Sequence, residues 1–250
     1  MNKAIKRKKK EKLLNKKLVK RYYFLKPTPW YKQKHKEKYD YSYIEWFGWP
    51  QGWNKAFGMM YLKELGEEIK CIGQKDFQIL QMKEKFGQAR CYTSGTSSKA
   101  HDIINKYEYL SQNICWHCGK PDVPTINDGW IYPVCFDCFY KNMRERERYH
   151  KGAPMTDDDI KNMYEKCIDD EPNANGEYRM CDSYTIKYWD KDRNECLTTY
   201  DISETANAIR QHWENREKSY KKWVSRKKNK YQCFSNTDIN YGRACPFRCG

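Results

Sequence analysis

Two pairs of cysteines constrain this chain more than anything else in it. Cys115-Trp-His-Cys118 and Cys135-Phe-Asp-Cys138 are separated by sixteen residues. A C-x-x-C followed after roughly fifteen to twenty residues by a second one is a zinc-site spacing. Each C-x-x-C bends the backbone so that both sulfurs face one ion. Gly119 follows the first pair, where a tight turn needs a residue without a Cβ. Asp128-Gly129 reads as a hairpin turn and residues 130–134 as its returning strand. Four thiolates close a tetrahedral shell, so the expected ion is a structural Zn2+ held by Cys115, Cys118, Cys135 and Cys138.

Composition sets the compartment. No apolar run approaches the ~18 residues of a membrane helix, and mean hydropathy is −1.10. The basic N-terminus lacks the apolar stretch of a secretory signal. Twelve cysteines are therefore expected as reduced thiols or metal ligands in a cytoplasmic compartment. With 39% hydrophobic and 16% aromatic residues, the core should be aromatic, and its hydroxyls and indole N–H groups need partners.

The net charge of +15 is segregated. Residues 1–40 carry sixteen Lys/Arg against three Asp/Glu, a net +13, and residues 210–230 carry nine against two, a net +7. Residues 41–209 are mildly acidic, at about −6. Basicity concentrated towards the two ends suggests a polyanionic partner more than uniform basicity would.

Residues 1–40 read as a flexible basic arm, because repulsion among Lys6, Arg7, Lys8, Lys9, Lys10 and their neighbours opposes a free-standing helix. Trp30 and Tyr31, interleaved with lysines and kept extended by Pro27 and Pro29, suit stacking on unpaired bases. Packing of these rings on the body is the competing reading. The body begins at about residue 41. A helix is expected over 54–70, with Ala56, Met59, Leu62, Leu65 and Ile69 on one face. A β-hairpin follows, with Phe86-Gly87 at its turn, and Ser97 caps a helix carrying Ala100, Ile103, Ile104, Tyr107, Leu110 and Ile114. That helix delivers the chain directly to Cys115.

The run 79–92, the following helix with Ser111 near its end, the Cys-x-x-Cys-Gly-Lys-Pro knuckle, Gly129-Trp130 and the second knuckle resemble an uncharacterised family. It comprises small bacterial and phage proteins with a C-terminal zinc ribbon. The resemblance spans about residues 45–142. It departs in the hairpin, where Gln88, Ala89 and Cys91 stand in place of a second glycine and larger apolar residues. It implies the ribbon and the helix–hairpin–helix unit, a host-cytoplasm location if phage-encoded, and no activity.

After a linker near residues 151–154, Thr156 and Asp159 form a capping box for a helix bearing Ile160, Met163, Tyr164, Cys167 and Ile168. A hairpin is expected over 178–200. Ser203 then caps a long helix with Ala206, Ile209, Trp213, Tyr220 and Trp223 as its stripe. The tail, 231–250, holds Cys233, Cys245 and Cys249, which lack C-x-x-C spacing and read as small hydrophobes or free thiols rather than a second metal site.

Enzyme signatures fail. His35-Lys-Glu37 and His212-Trp-Glu214 match the His-x-Glu of zinc deaminases but sit in charged sequence away from the cysteine pairs, and Pro133 is one residue too early. No phosphate loop, nucleophile elbow or H-E-x-x-H occurs.

The fold class expected is α+β: a helix–β-hairpin–helix unit closed by a four-cysteine zinc ribbon (41–150), then a second helix–hairpin–helix unit (151–230). The function expected is non-enzymatic nucleic-acid binding, DNA or RNA. Lys6, Arg7, Lys8, Lys9, Lys10, Lys221, Lys222, Arg226 and Lys227 would contact phosphate, and Trp30 and Tyr31 would contact bases. The rival is a protein-interaction module, for instance a phage protein engaging host machinery or a virion assembly, in which the basic arm only steers association.

Overall fold

The computed structural model describes residues 3–26, 39, 41–147, 154–168, 178–181, 185–190 and 195–231, with the side chains of residues 3, 47, 178–200 and 226–231 outside that description. It is α+β, as expected. Helix α1 (Lys3–Arg21) opens it. Lys, Leu and Arg are good helix formers, an Arg7–Glu11 pair at 2.8 Å spans one turn, and Lys20 and Arg21 suit the helix C-terminus.

The described part of residues 1–40 does not stand apart from the body. Val19 on α1, Tyr22 just after it, and Phe24 and Leu25 on the 3-10 turn that follows (Tyr23–Leu25) are buried in the main core. Phe24 meets Phe77 edge-on at 5.3 Å, and Asn15 donates to the Tyr41 carbonyl at 2.8 Å. Each fully buried large apolar side chain contributes ~2 kcal/mol. The lysines point to solvent, where salt screens their repulsion within ~10 Å.

Next comes a helix built in three pieces: Gln51–Trp53, a π turn Asn54–Gly58, and α2 (Met59–Cys71). The π turn inserts a residue into the helical register. Met59, expected inward, is therefore 48% exposed, while Tyr61 is fully buried. Trp53 is also fully buried, and its indole N–H donates to the Ile114 carbonyl at 2.8 Å. Strands β1 (Gln78–Lys85) and β2 (Gln88–Ser94) pair antiparallel. Phe86 and Gly87 both have positive φ, +51° and +74°, the twist that a two-residue hairpin turn requires. Ser97 caps α3 (Ser98–Leu110) by accepting the Ala100 N–H. All six residues of the expected α3 face are buried.

The cysteine region contributes β3 (Thr125–Asn127) and β4 (Ile131–Pro133), joined through Asp128, Gly129 and Trp130. Trp130, expected in the returning strand, sits in the turn instead and is 60% exposed. Helix α4 (Phe136–Glu147) follows, then α5 (Asp157–Cys167) with the expected Thr156–Asp159 capping box. Arg144 of α4 donates to Glu147, Asp157 and the Met155 carbonyl, which holds α5 against α4.

Strands β6 (Thr185–Asp190) and β7 (Glu195–Asp201) pair as the expected second hairpin, and the sequence before them adds a third antiparallel strand, β5 (Tyr178–Cys181), beside β6. Helix α6 (Ser203–Tyr231) closes the described chain. Its start differs from expectation: the Asp201 carboxylate accepts the Ser203 N–H at 2.9 Å.

Two cores organise these elements. The first gathers the end of α1, the three-piece helix, β1, β2, α3, Ile202 just before α6, and Ala206 and Ile209 of α6. The second holds Cys115, Cys135, Val123, Ile126, Tyr132 and Val134 with Phe139 and Met143 of α4 and Ile160 and Tyr164 of α5. The segment expected to form a unit of its own over 151–230 is thus divided. Helix α5 packs on the cysteine region, and α6 packs on the first core. Trp116 packs against both cores.

Candidate metal centre

The four thiols come from two differently built corners. The first is a loop knuckle. Gly119 N–H donates to the Cys115 carbonyl at 2.8 Å, Cys115 N–H donates to the Lys120 carbonyl at 2.8 Å, and Ile114 bridges Pro121. Gly119 has φ +85°, and a Cβ there would stand 2.6 Å from the Gly52 carbonyl oxygen, so both conformation and space demand glycine. The second corner is the N-terminus of α4. Cys138 and Phe139 N–H groups donate to the Cys135 carbonyl at 3.1 and 3.0 Å, and this first helical turn brings Cys138 back beside Cys135.

All four Sγ atoms lie within 4.8 Å of one another, and Cys118 Sγ is 3.7 Å from Cys135 Sγ. A tetrahedral zinc shell with ~2.3 Å bonds has sulfur–sulfur edges of ~3.8 Å. The four cysteines therefore lie close enough together to hold a metal ion. Its electrostatics point the same way. Hydrogen bonds from Cys118, then from Cys135 and Cys138, hold the Cys115 thiol far below the usual range. The bond to Cys115 pushes Cys118 and Cys138 far up. Against the bond to Cys115, which pushes it up, the bonds to Cys118 and Cys138 draw Cys135 down as well. Two of the packed thiols thus shed a proton readily and two resist, unless a cation takes up the accumulating charge. Cys115 and Cys135 are buried, while Cys118 and Cys138 are half-buried.

The centre is fastened to the first core. The Trp116 indole stacks on Tyr132 with centroids 4.3 Å apart. Trp116 N–H donates to the Pro133 carbonyl at 3.0 Å, and its carbonyl accepts Gly52 N–H at 2.8 Å. On the far side, Arg210 of α6 forks onto Asp122 through two bonds of 2.7 Å.

The expected nucleic-acid residues are spread over two helices. Lys6, Arg7, Lys8, Lys9 and Lys10 are exposed on α1, with Arg7 engaged by Glu11. Lys221 and Lys222 are exposed on α6, with Lys221 3.6 Å from Glu217. Arg226 and Lys227 belong to the last turns of α6, but their side chains, like Trp30, Tyr31, Cys233, Cys245 and Cys249, lie outside the described residues. His212, half of one His-x-Glu match, reaches the Lys55 carbonyl at 3.2 Å.

One feature escaped the sequence. A groove of about 490 Å³ runs between α6 and the metal knuckle, with Lys55, His117, Lys141 and the two half-buried cysteines facing Trp213, Arg216 and Tyr220 of α6. The aromatic stripe of α6 thus changes role along its length. Ala206 and Ile209 are core, Trp213 is half-buried, and Tyr220 is 41% exposed. The signal lay in the arginine and lysines interleaved with those rings, which a core-facing stripe does not need.

No family model, curated protein or solved structure matches the chain. Among the described residues no helix is long and apolar enough to cross a membrane.

Proposed function

We propose that the chain is a zinc-ribbon protein that binds nucleic acid without transforming it. In this reading Zn2+ occupies the four-cysteine cluster and acts structurally, since four thiolates leave no open position for substrate or water. When bound, the ion neutralises the thiolates and fixes the knuckle against α4.

The observation that carries the binding function is the placement of charge. The most basic stretches of the sequence coincide with two helices, α1 and the latter half of α6, on a body of about −6. Solubility does not require that concentration, and neutralising phosphates releases condensed counterions. A second reading has its own support: Ile5, Leu13 and Leu14 are 44–56% exposed among the α1 lysines, a mixture that suits a protein surface.

Fluorescence anisotropy with mixed-sequence single-stranded and duplex oligonucleotides across a salt series separates the two. Binding with log affinity falling steeply in log salt is expected. Reversing Lys6, Lys8, Lys9 and Lys10 to Glu should flatten the slope by ~3 units, at about 0.7 to 0.9 per lost phosphate contact. Absence of binding near physiological salt would move the function to a protein partner.

A further inference from the structure

Resting on that nucleic-acid reading, we propose that the groove between α6 and the metal knuckle takes unpaired bases of a single strand. Trp213 and Tyr220 both line it. They are seven residues apart, so they share one face of α6 with a rise of ~10 Å between them, close to three nucleotide steps of ~3.4 Å. Arg216 lies between them, its guanidinium carbon 5.4 Å from the Trp213 ring centre and one Nη donating to the Lys55 carbonyl at 3.2 Å. Lys55 and Lys141 supply further cations from the facing wall, and His117 adds a ring there.

Two carboxylates also line the groove. Glu217 stands 3.6 Å from Lys221, and with Glu145 it makes two carboxylates to the three cations Lys55, Lys141 and Arg216 along the groove. Aromatic faces alternating with cations match a strand whose bases stack while its phosphates run alongside. The volume, about 490 Å³, belongs to the ~300–1,000 Å³ range of small-ligand clefts, which admits splayed nucleotides and excludes a duplex. The lysines of α1 have no such selectivity, because phosphate contacts position without reading strandedness.

The test uses the full-length, metal-loaded protein and a short single strand carrying 5-iodouracil. Irradiation followed by peptide mapping should place cross-links on Trp213 or Tyr220. Trp213→Ala and Tyr220→Ala should each weaken single-strand binding by about five- to a hundredfold, with duplex affinity within about twofold. Tyr220→Phe, which keeps the ring, should bind as the parent does. Metal content and melting temperature show whether each variant is folded, and the cross-link map of the unaltered protein decides the matter if Trp213→Ala is not. Strand binding with cross-links confined to other elements, or equal loss of single-strand and duplex binding in folded variants, would overturn the groove and leave the nucleic-acid reading standing. No binding to either form removes both and leaves the groove to a protein partner.

Discussion

The side chain of Glu108 accepts the backbone N–H of Cys91, and so occupies the place that a third strand would fill beside β2. Ser111 Oγ does the same for Ala89 N–H at 2.8 Å, and at the other edge Glu45 accepts Met82 N–H at 3.4 Å. A two-stranded sheet buried in a core leaves backbone donors that must find partners. Here α3, the turn just after it and the segment before the three-piece helix provide them. The cost is a carboxylate out of water.

That cost predicts a pH dependence. Burial pushes Glu108 up from 4.5 to about 7, against the Cys91 N–H and Arg90, which pull it down. The folded state therefore binds this proton more tightly than the unfolded chain. Its stabilising share is complete below about 4.5 and is lost as pH rises through about 7. Between those values Glu108 should lower stability on the order of 3 kcal/mol as it ionises. Glu108→Gln, which keeps an acceptor for Cys91, should flatten the melting temperature across that window. An unchanged pH profile in the variant would remove Glu108 as its source.

Metal content offers a second check. Native mass spectrometry should find zinc bound at the four-cysteine cluster, and Cys115→Ser should lose it together with cooperative unfolding, because metal-site free energy is folding free energy. Cys118→Ser, at a half-buried corner, should lose the ion as well. A metal-free chain that melts as the holo chain does would contradict the site.

Gly119 should tolerate no side chain. Alanine there meets both a φ of +85° and the Gly52 carbonyl at 2.6 Å, so Gly119→Ala should destabilise by roughly 2–4 kcal/mol. Gly129, at φ +97° with nothing near its would-be Cβ, should lose less on the same change. Chemical denaturation of the two variants side by side reads the difference.

Helix α1 and the 3-10 turn after it should behave as two things at once. Phe24→Ala, on a side chain 2% exposed, should cost about 3–5 kcal/mol as in any aromatic core. Lys9→Ala should change stability by no more than about 0.5 kcal/mol. Deleting residues 1–26 would therefore unfold the first core and tell little about binding; charge reversal on the exposed lysines is the cleaner probe. Equal, small effects of Phe24→Ala and Lys9→Ala in thermal melts would mean that the segment does not belong to the core.

Local pattern made much of this legible. The Ser97 cap and the Thr156–Asp159 box are each set within one turn, the α3 stripe repeats along one helix, and all three stand as read; the two C-x-x-C pairs come together as their spacing implies. What could not be read depends on partners distant in sequence. Tyr22 and Phe24 look like arm aromatics until the facing surface is known. Arg210 and Asp122 are joined across 88 residues. The inward position of Tyr61 follows from a π turn that no periodicity announces. Trp213 and Tyr220 look like core because their spacing is that of a core.

The bond from Gly52 to Trp116 has a consequence for the life of the chain in a cell. It ties the first turn of the three-piece helix to the knuckle that carries Cys115 and Cys118, so the larger core has no boundary at which it can stop being folded while the knuckle lets go. If Zn2+ holds the cluster as proposed, metal supply then bears on both cores. A newly made chain denied its ion would expose Trp53, Phe57 and their neighbours along with the thiols, and proteolysis would reach the first core rather than trim one loop. Abundance of the protein would follow zinc availability with no dedicated sensor.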